Sequence, residues 1–292
     1  MFKTLKFIFF HPLNRGNKLK GITRFIKWQI NCMINPFPII YQFTTNSKLI
    51  ISKGMTGATG NLYTGLLEFK DMGFLLHFLT EDDLFVDVGA NVGVYTILAS
   101  AEKGSRTISV EPIHQTYLRL KDNIRINGIN DKVSFLNIGI GSEDGFLGFT
   151  SNLDTVNHVI SLDNKKAVQV VVRKLDSIIE ADFPSLIKID VEGFETEVIN
   201  GAEEILNNEK LKAIIIELNG AGKRYGYDEA LIHNKLCNYG FFPYDYDPFK
   251  RVLSKLETYG THNTIYLRDL EYVKRRLDSS DTIGIGDNFK AI

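Results

Sequence analysis

The chain has 292 residues, of which 44% are hydrophobic and 24% charged, a composition ordinary for a globular protein with a sizeable core. No apolar run approaches the roughly 20 residues that a membrane-spanning helix needs, and no secretory signal is expected. Cys32 and Cys237 form neither a zinc-binding pattern nor a disulfide scaffold. We therefore expect one catalytic domain with an extension, in a reducing cytoplasmic compartment.

Charge is distributed unevenly along the chain. No acidic residue precedes Glu68, so the first 67 residues, with nine basic side chains, carry a charge of +9. The remaining residues, with 25 basic and 35 acidic side chains, carry −10. A basic arm is thus attached to an acidic body. A single basic block at one end differs from the interleaved basic stripe of a nucleic-acid-binding face.

The basic arm is predicted to contain an amphipathic helix. Apolar residues recur there at helical spacing, namely Leu19, Ile22, Phe25, Ile26, Ile30 and Met33. We favour a helix that packs on the domain and helps to close its cleft, because Trp28 and the aromatic residues up to Phe43 suit packing. The alternative is a helix that lies on an anionic membrane surface, which would make the protein peripheral at the inner face of a membrane.

From Asp83 onward, short β-branched runs alternate with helical stretches, which indicates repeated βαβ units and a parallel sheet covered on both faces. The predicted parallel strands are residues 84–88, 107–111, 133–137, 186–191 and 212–218. The predicted helices are residues 95–102, 114–127, 195–208 and 228–238. Two runs, 145–149 and 168–172, are expected to pair as a hairpin beside a polar loop at 151–158. FFPYDYD and residues 263–270 are expected to form an antiparallel ending.

These elements divide the chain into three predicted parts. A basic N-terminal extension covers residues 1–65, the catalytic domain covers 66–270, and a C-terminal helix and tail cover 271–292. The run SSDTIGIGDNF in the tail is expected to be loosely ordered.

The first strand of the body breaks into a glycine-rich turn and then a helix, in LFVDVGANVGVYTILAS at residues 84–100. Such turns hold nucleotide-like cofactors, because glycine lets the backbone approach the ligand and the helix N-terminus offers free N–H groups. A dinucleotide site needs G-x-G-x-x-G. Counting from Gly89, the second glycine is replaced by Asn91 and the third by Val94. A dinucleotide is therefore disfavoured.

Two acidic residues indicate a different cofactor. Asp87 ends the strand beside the turn, where its charge would repel a pyrophosphate but attract a ligand with ammonium and sulfonium groups. Glu111 ends the second strand, about 20 residues past the turn, where a carboxylate can accept both ribose hydroxyl protons. S-adenosylmethionine has all of these groups. We expect it to be bound by Asp87, Gly89, Asn91, Gly93 and Glu111.

The fourth parallel strand leads into a second group of charged residues, in LIKIDVEGFETEVINGAEEIL. Strand alternation puts Lys188 and Asp190 on the same face, and a buried lysine is costly unless it is paired. Because open α/β sheets bind ligands at the carboxyl ends of their strands, Asp190 and Glu192 are expected to face the cleft. Glu195 is expected to complement the dipole of the following helix.

With these residues in view, the chain resembles the FkbM-type family of S-adenosylmethionine-dependent methyltransferases. The resemblance covers about residues 84–220 and rests on FVDVGANVGVYT, SVEP, NIGIGSEDG, IKIDVEGFE and IIIEL, in that order. It implies a Rossmann-like, doubly wound α/β fold of class I methyltransferases, with a seven-stranded, mostly parallel sheet whose last strand is antiparallel. It also implies methyl transfer, most often to hydroxyl oxygens of natural products or glycans, with Asp190 beside the transfer site.

An alcohol that accepts a methyl group must lose its proton, which requires a general base. The first candidates are Asp190 and Glu192, with Lys188 tuning their ionisation. His262 and His158 are further candidates. Asp190 and Glu192 could instead hold a divalent cation that acidifies a bound hydroxyl, an alternative that we do not favour.

Two rival functions make different demands on the sequence. A nucleic-acid amino-methyltransferase typically carries an Asn/Asp-Pro-Pro-aromatic motif after the fourth strand, where this chain has DVEG, and its acidic body would repel phosphates. A non-catalytic cofactor-binding module is the second rival, and motifs for both cofactor and acceptor argue against it. The expected partner is a small-molecule or glycan acceptor, and not a nucleic acid.

Overall fold

The computed structural model describes residues 2–151, 157–179, 182–286 and 289–292. Most of the predicted polar loop at 151–158 therefore lies outside the described residues. The described strands, in chain order, are β1 (Ile39–Gln42), β2 (Lys48–Ile51), β3 (Leu84–Val88), β4 (Arg106–Val110), β5 (Val133–Leu136), β6 (Gly139–Ile140), β7 (Gly145–Phe149), β8 (Val159–Ile160), β9 (Val168–Arg173), β10 (Leu186–Ile189), β11 (Ala213–Glu217), β12 (Phe242–Asp247), β13 (Val252–Lys255) and β14 (Asn263–Leu267).

Helices cover the strands and form most of the N-terminal extension. The described α-helices are α1 (Phe2–Phe10), α2 (Lys18–Ile34), α3 (Thr56–Thr64), α4 (Phe69–Phe78), α5 (Val94–Ile97), α6 (His114–Ile126), α7 (Leu175–Ile178), α8 (Glu195–Asn200), α9 (Glu203–Asn207), α10 (Glu229–Asn238) and α11 (Leu270–Ser279). A π-helical turn, Leu98–Glu102, continues α5. No described helix combines the length and apolar character that a membrane crossing requires.

A central sheet organises the body in the order β13-β12-β14-β11-β10-β3-β4-β5. Strands β5, β4, β3, β10 and β11 are parallel, and β14 runs antiparallel to β11. Every residue of β3 and β10 is buried, as expected of strands whose sheet is covered on both faces. The predicted fold class is confirmed, including the antiparallel last strand. The described sheet has one strand more than predicted, because VLSK forms β13 as an edge hairpin with β12.

Two predicted local features are also observed, one of them in altered form. GFLGF and VQVVV pair antiparallel as β7 and β9, within a separate small sheet of order β6-β9-β7-β8. The helix predicted at 195–208 is divided into α8 and α9 around Gly201. A Cβ at Gly201 would overlap the carbonyl oxygen of Gly141, so the break lets the backbone of a neighbouring loop approach closely.

The N-terminal extension packs on the body, as we favoured. Ile8, Trp28 and Phe43 are buried in the main core, and the backbone N–H of Ile50 donates to the side chain of Asn123 on α6. The tail is packed, which contradicts the expectation of loose order for its described residues. Ile285 is fully buried there. The boundaries at 65/66 and 270/271 stay predictions.

Candidate active site

A cavity of about 360 Å³ lies at the carboxyl ends of β3, β4, β10 and β11. This is the edge at which open α/β sheets bind ligands, and the volume lies within the range of small-molecule sites. Thr56 and Gly57 at the start of α3, and Glu68 just before α4, contribute a further part of the wall. The N-terminal extension therefore takes part in forming the cavity.

The turn after β3 requires its glycines for two different reasons. Gly89 has a φ of 81°, and a Cβ there would overlap the carbonyl oxygen of Asp190, so this turn and the loop after β10 approach at backbone distance. Gly93 has a φ of 89° and precedes α5, where a Cβ would overlap Leu120. Asn91 also has a positive φ, of 51°, a conformation that asparagine tolerates better than most residues.

Asp87 is almost fully buried in the cavity wall. Its Oδ2 accepts hydrogen bonds from the backbone N–H of Thr96 at 3.1 Å and from the Thr96 hydroxyl at 2.7 Å. It also lies beside Lys188 in the register of β3 and β10. Burial raises the pKa of Asp87 to about 6, although Lys188 and Thr96 act in the opposite direction. The carboxylate is therefore held rigidly, with its charge incompletely compensated.

Glu111 connects the turn after β3 to the end of β4. Its Oε2 accepts the backbone N–H of Asn91 at 3.0 Å, and its Oε1 accepts that of Ile113 at 2.9 Å. Burial raises the pKa of Glu111 to about 7 despite these two bonds. Because a carboxylate oxygen has a second acceptor position, Glu111 can still accept hydroxyl protons from a ligand in the cavity.

Lys188 and Asp190 form a buried ion pair on the same side of β10. The distance from Nζ to Oδ2 is 2.6 Å, and the side chain of Lys188 is only 3% exposed. The Lys188 ammonium also lies 4.7 Å from the ring centroid of Tyr95, whose hydroxyl donates to Glu68 at 2.8 Å. Burial lowers the pKa of Lys188, but attraction to Asp190 and other carboxylates outweighs it, so the pKa is raised and the lysine stays protonated.

Three carboxylates gather where β10 and β11 end. Oxygens of Asp190, Glu192 and Glu217 lie within 4.8 Å of one another. Burial, followed by repulsion from Asp190 and a further carboxylate, raises the pKa of Glu192 to about 7 and that of Glu217 to about 8. Three oxygens at this separation suit a divalent cation, but shared protons relieve the same repulsion without a metal.

The loop after Asp190 is strained into position. Glu192 has a φ of 55° and Gly193 a φ of 101°, and a Cβ at Gly193 would lie 2.7 Å from the backbone of Ala221. The Oε1 of Glu195 accepts the backbone N–H groups of Val191 and Gly193. Glu195 therefore closes the loop that presents Glu192, a local role beyond the dipole interaction expected from the sequence.

The cavity brings together seven of the ten predicted site residues. They are Asp87, Gly89, Asn91, Glu111, Lys188, Asp190 and Glu192. Gly93 shapes the turn without lining the cavity. His262 has an exposed side chain that is not part of the wall, and its carbonyl oxygen accepts the N–H of Leu218. This placement does not support His262 as the base. His158 is likewise outside the wall, although its neighbour Asn157 lines it.

Sequence reasoning did not identify five polar residues of the wall, namely Thr56, Glu68, Tyr95, Asn157 and Glu217. Glu217 ends β11, and the rule that the carboxyl ends of parallel strands meet at one edge could have identified it. Glu68 and Tyr95 gave no comparable signal. Glu68 accepts hydrogen bonds from Tyr95 and from the amide of Asn263, so its position depends on packing between distant segments.

The strand order, the glycine turn and the cavity at the carboxyl ends define an α/β protein of the class I, Rossmann-like methyltransferase type. A family model, the methyltransferase FkbM domain, matches residues 87–243. This match covers more than half of the chain, and the chain therefore belongs to the FkbM methyltransferase family.

Known proteins resemble different shares of the chain. The hexuronic acid methyltransferase AglP of Haloferax volcanii is 28% identical over 151 residues, which are 50% of this chain and 59% of that protein. Methyltransferase 1 of Beauveria bassiana is 25% identical over 186 residues, 53% of this chain and 72% of that protein. The crystal structure of an FkbM methyltransferase from Methylobacillus flagellatus aligns with a TM-score of 0.45 at 17% identity, over 65% of this chain and 44% of that one.

Proposed function

We propose that this protein transfers the methyl group of S-adenosylmethionine to a hydroxyl oxygen of a sugar or glycan. The observation that carries the proposal is the charge of the cavity wall. Lys188 is the one basic residue among the described residues that line it. Six carboxylates line the same cavity, from Glu68, Asp87, Glu111, Asp190, Glu192 and Glu217. Such a wall favours a cationic ligand and hydroxyl donors, and it disfavours a phosphate.

The residues at this edge fit S-adenosylmethionine by their chemistry. Asp87 offers negative charge to an ammonium or sulfonium group, and Glu111 offers free acceptor positions to ribose hydroxyls. Gly89 and Asn91 shape the turn against which the ligand would lie, while Gly93 acts indirectly by starting α5. When bound, the cofactor supplies a methyl group already activated on its sulfonium sulfur. The protein then needs to align an acceptor oxygen and to remove its proton.

Asp190 and Glu192 are the proposed general bases. Lys188 fixes Asp190 by their ion pair and offsets part of the negative charge of the cluster. Glu192, with a pKa of about 7, can exchange a proton near neutral pH. We include Glu217 as a hydrogen-bond partner of the acceptor, because it shares the cluster and has a pKa of about 8. A group of this kind can accept a hydroxyl proton when ionised and donate a hydrogen bond when protonated.

The acceptor class rests on two arguments. Sugars present several hydroxyl groups, and carboxylates bind such groups well by accepting hydrogen bonds from them. The relative from Haloferax volcanii is named a hexuronic acid methyltransferase, which supports a sugar acceptor here. The negative wall also argues against nucleic acid, whose backbone phosphates would approach a cavity of the same charge.

Binding and turnover test the proposal separately. We expect S-adenosylmethionine to bind in isothermal titration, and Asp87→Ala or Glu111→Ala to weaken that binding about tenfold or more, since each removes a carboxylate from the wall. Unchanged titration in both variants would remove the cofactor assignment. A non-catalytic module would bind the cofactor but transfer no labelled methyl group to glycan, lipid-linked sugar or RNA pools.

The base is tested by Asp190→Asn, with His262→Asn as the control. We expect Asp190→Asn to retain cofactor binding but to lower turnover on the identified acceptor about a hundredfold or more, as removal of a general base does. His262→Asn should leave turnover unchanged, because the side chain is exposed and outside the cavity wall. Near-normal activity of Asp190→Asn would move the base to Glu192.

A further inference from the structure

Exposed apolar side chains are concentrated in the N-terminal arm. Of the 18 large hydrophobic residues exposed in the described chain, ten lie within the first 40 residues. These ten are Phe2, Phe7, Phe10, Leu19, Ile26, Ile30, Met33, Ile34, Phe37 and Ile40. The remaining eight are spread over the rest of the described chain, so the arm exposes far more apolar surface for its length.

Helix α2 is apolar on two opposite sides. One side, around Gly21 and Trp28, is buried against the protein. The other side carries Leu19, Ile26, Ile30 and Met33, which are 72%, 50%, 52% and 85% exposed. Their spacing of seven, four and three residues aligns them on one face of a helix, and we call these four residues the outer stripe. The sequence pattern suggested a single apolar face, whereas the structure divides it into a packed face and the outer stripe.

The surroundings of the outer stripe are basic. Lys20 and Lys27 on α2 are exposed, as are Lys3, Lys6 and Arg15 in the same arm. Within the described residues, none of these five side chains forms an ion pair. The first 67 residues also contain no acidic side chain. The arm therefore presents apolar surface and unneutralised positive charge together.

From this combination we infer that the arm docks on an anionic phospholipid bilayer, with α2 lying in the plane of the interface. A contiguous apolar surface in water indicates an interaction site. Apolar residues inserted at the headgroup boundary and basic residues beside anionic lipids are the two signals that together give stable peripheral binding. A second copy of the chain is a poorer occupant, because its arm would bring the same positive charge to the contact.

Docking would bring the cavity close to the lipid surface. Phe25 of α2 packs edge-on against Tyr63 of α3, and the guanidinium of Arg24 donates to the Tyr63 carbonyl oxygen at 2.9 Å. The other end of α3 supplies Thr56 and Gly57 to the cavity wall. The single short helix α3 thus lies between α2 and the proposed active site.

Cosedimentation of the full chain with lipid vesicles tests the inference. We expect binding to phosphatidylcholine vesicles that contain about 30% phosphatidylglycerol, weaker binding to pure phosphatidylcholine, and loss at high salt. Lys20→Gln/Lys27→Gln should weaken partition to the anionic vesicles roughly 30-fold, since each basic residue near such a surface adds about a factor of five. Ile26→Gln/Ile30→Gln should weaken partition about tenfold or more, because glutamine keeps the helix but removes the inserted groups.

Matched variants on the body test whether vesicle binding depends on the arm itself or on exposed basic and apolar residues anywhere on the protein. Lys165→Gln/Lys166→Gln removes two exposed basic residues, and Leu162→Gln/Leu231→Gln removes two exposed apolar ones. Both should bind vesicles like the unaltered chain. Absence of binding to anionic vesicles, or equal losses for arm and body variants, would overturn the inference. So would a concentration-dependent dimer in analytical ultracentrifugation that Ile26→Gln/Ile30→Gln abolishes, because a second copy would then cover the outer stripe.

Discussion

Gly89 joins the two halves of the candidate site through its backbone. The turn after β3 belongs to the proposed cofactor side, and Asp190 belongs to the proposed catalytic side. The absence of a side chain at Gly89 lets the Asp190 carbonyl approach the turn. Gly89 therefore sets the relative position of the carboxylates on both sides, in addition to adopting a positive φ.

We predict that Gly89→Ala destabilises the fold by about 3 kcal/mol or more, from overlap and backbone strain together. Gly54→Ala is the control, because Gly54 has a similar φ of 91° but open space where a Cβ would lie. Its cost should be only the strain, about 1 kcal/mol. Urea unfolding of both variants measures the difference. Equal losses would mean that the close approach to Asp190 has no energetic importance.

The site residues that could be predicted from the sequence are those whose position follows from the strand that they end. Asp87, Glu111 and Asp190 each end a predictable parallel strand, and the carboxyl ends of such strands meet. Glu68 could not be found in this way. It is held in the cavity wall by hydrogen bonds from Tyr95 on α5 and Asn263 on β14, and such contacts between distant segments leave no local sequence pattern.

Among the elements, buried strands were predicted best. The runs that form β3, β10 and β11 are continuous and β-branched, since the sheet is covered on both faces. Elements that depend on tertiary contacts were predicted less well. The helix breaks at Gly201 because the backbone of another loop approaches closely there. Helix α2 has apolar residues on two faces, and only tertiary packing determines which of the two is buried.

The C-terminal helix α11 is attached to the body by a buried ion pair. Arg276 donates through Nη2 to both carboxylate oxygens of Asp83, each at 2.9 Å, and through Nη1 to the hydroxyl of Thr80. The side chains of Arg276 and Asp83 are 20% and 5% exposed. This contact ties α11 to the segment that leads into β3, the first strand of the site.

We predict that Arg276→Gln lowers the free energy of unfolding by about 3 kcal/mol, because it leaves the buried carboxylate of Asp83 without its charged partner. The neighbouring Arg275 is exposed, so Arg275→Gln should change stability by less than about 0.5 kcal/mol. Chemical unfolding followed by circular dichroism distinguishes the two. Asp83 Oδ2 also accepts the backbone N–H of Thr80 at 2.8 Å and its hydroxyl at 2.9 Å. A small loss for Arg276→Gln would mean that these two hydrogen bonds suffice to hold Asp83.

In the whole molecule, charge is separated between the arm and the cavity. The arm is basic and contributes Thr56 and Gly57 to a cavity whose other walls are acidic. The proposed lipid-docking surface and the proposed cofactor site would therefore attract ligands of opposite charge. Burial raises the pKa values of several carboxyl groups in and around the cavity. The stability of the folded protein should therefore depend on pH.

The sign of that dependence follows from the direction of the shifts. Burial raises the pKa of Asp71 and Glu111 to about 7, that of Glu195 to about 7, and that of Glu217 to about 8. Ordinary carboxyl groups, as in the unfolded chain, titrate near 4. The folded state therefore binds more protons between about pH 5 and 8, and its stability falls as pH rises through this window.

Buried histidines act in the opposite direction at lower pH. Burial lowers the pKa values of His11 and His77 to about 4 from the ordinary 6.5, so below about pH 6.5 the unfolded state binds protons that the folded state excludes. Their contribution to stability therefore falls as pH decreases through that range. Because the pKa values of four carboxyl groups are raised and those of only two histidines are lowered, the carboxyl groups dominate between about pH 5 and 8, and the ligand-free protein should be more stable near pH 6 than near pH 8.

We predict that the ligand-free protein is less stable at pH 8.5 than at pH 6.5 by at least about 1.4 kcal/mol, the value of one pKa unit. Thermal unfolding at pH 6.5, 7.5 and 8.5 measures this difference. Glu217→Gln should reduce the slope, because it removes the carboxyl group that titrates at about pH 8 and lessens the repulsion on Glu192. Glu204→Gln, at an exposed position on α9, should keep the full slope. An unfolding midpoint that rises from pH 6.5 to 8.5 would contradict the presence of protonated carboxyl groups in the ligand-free cavity.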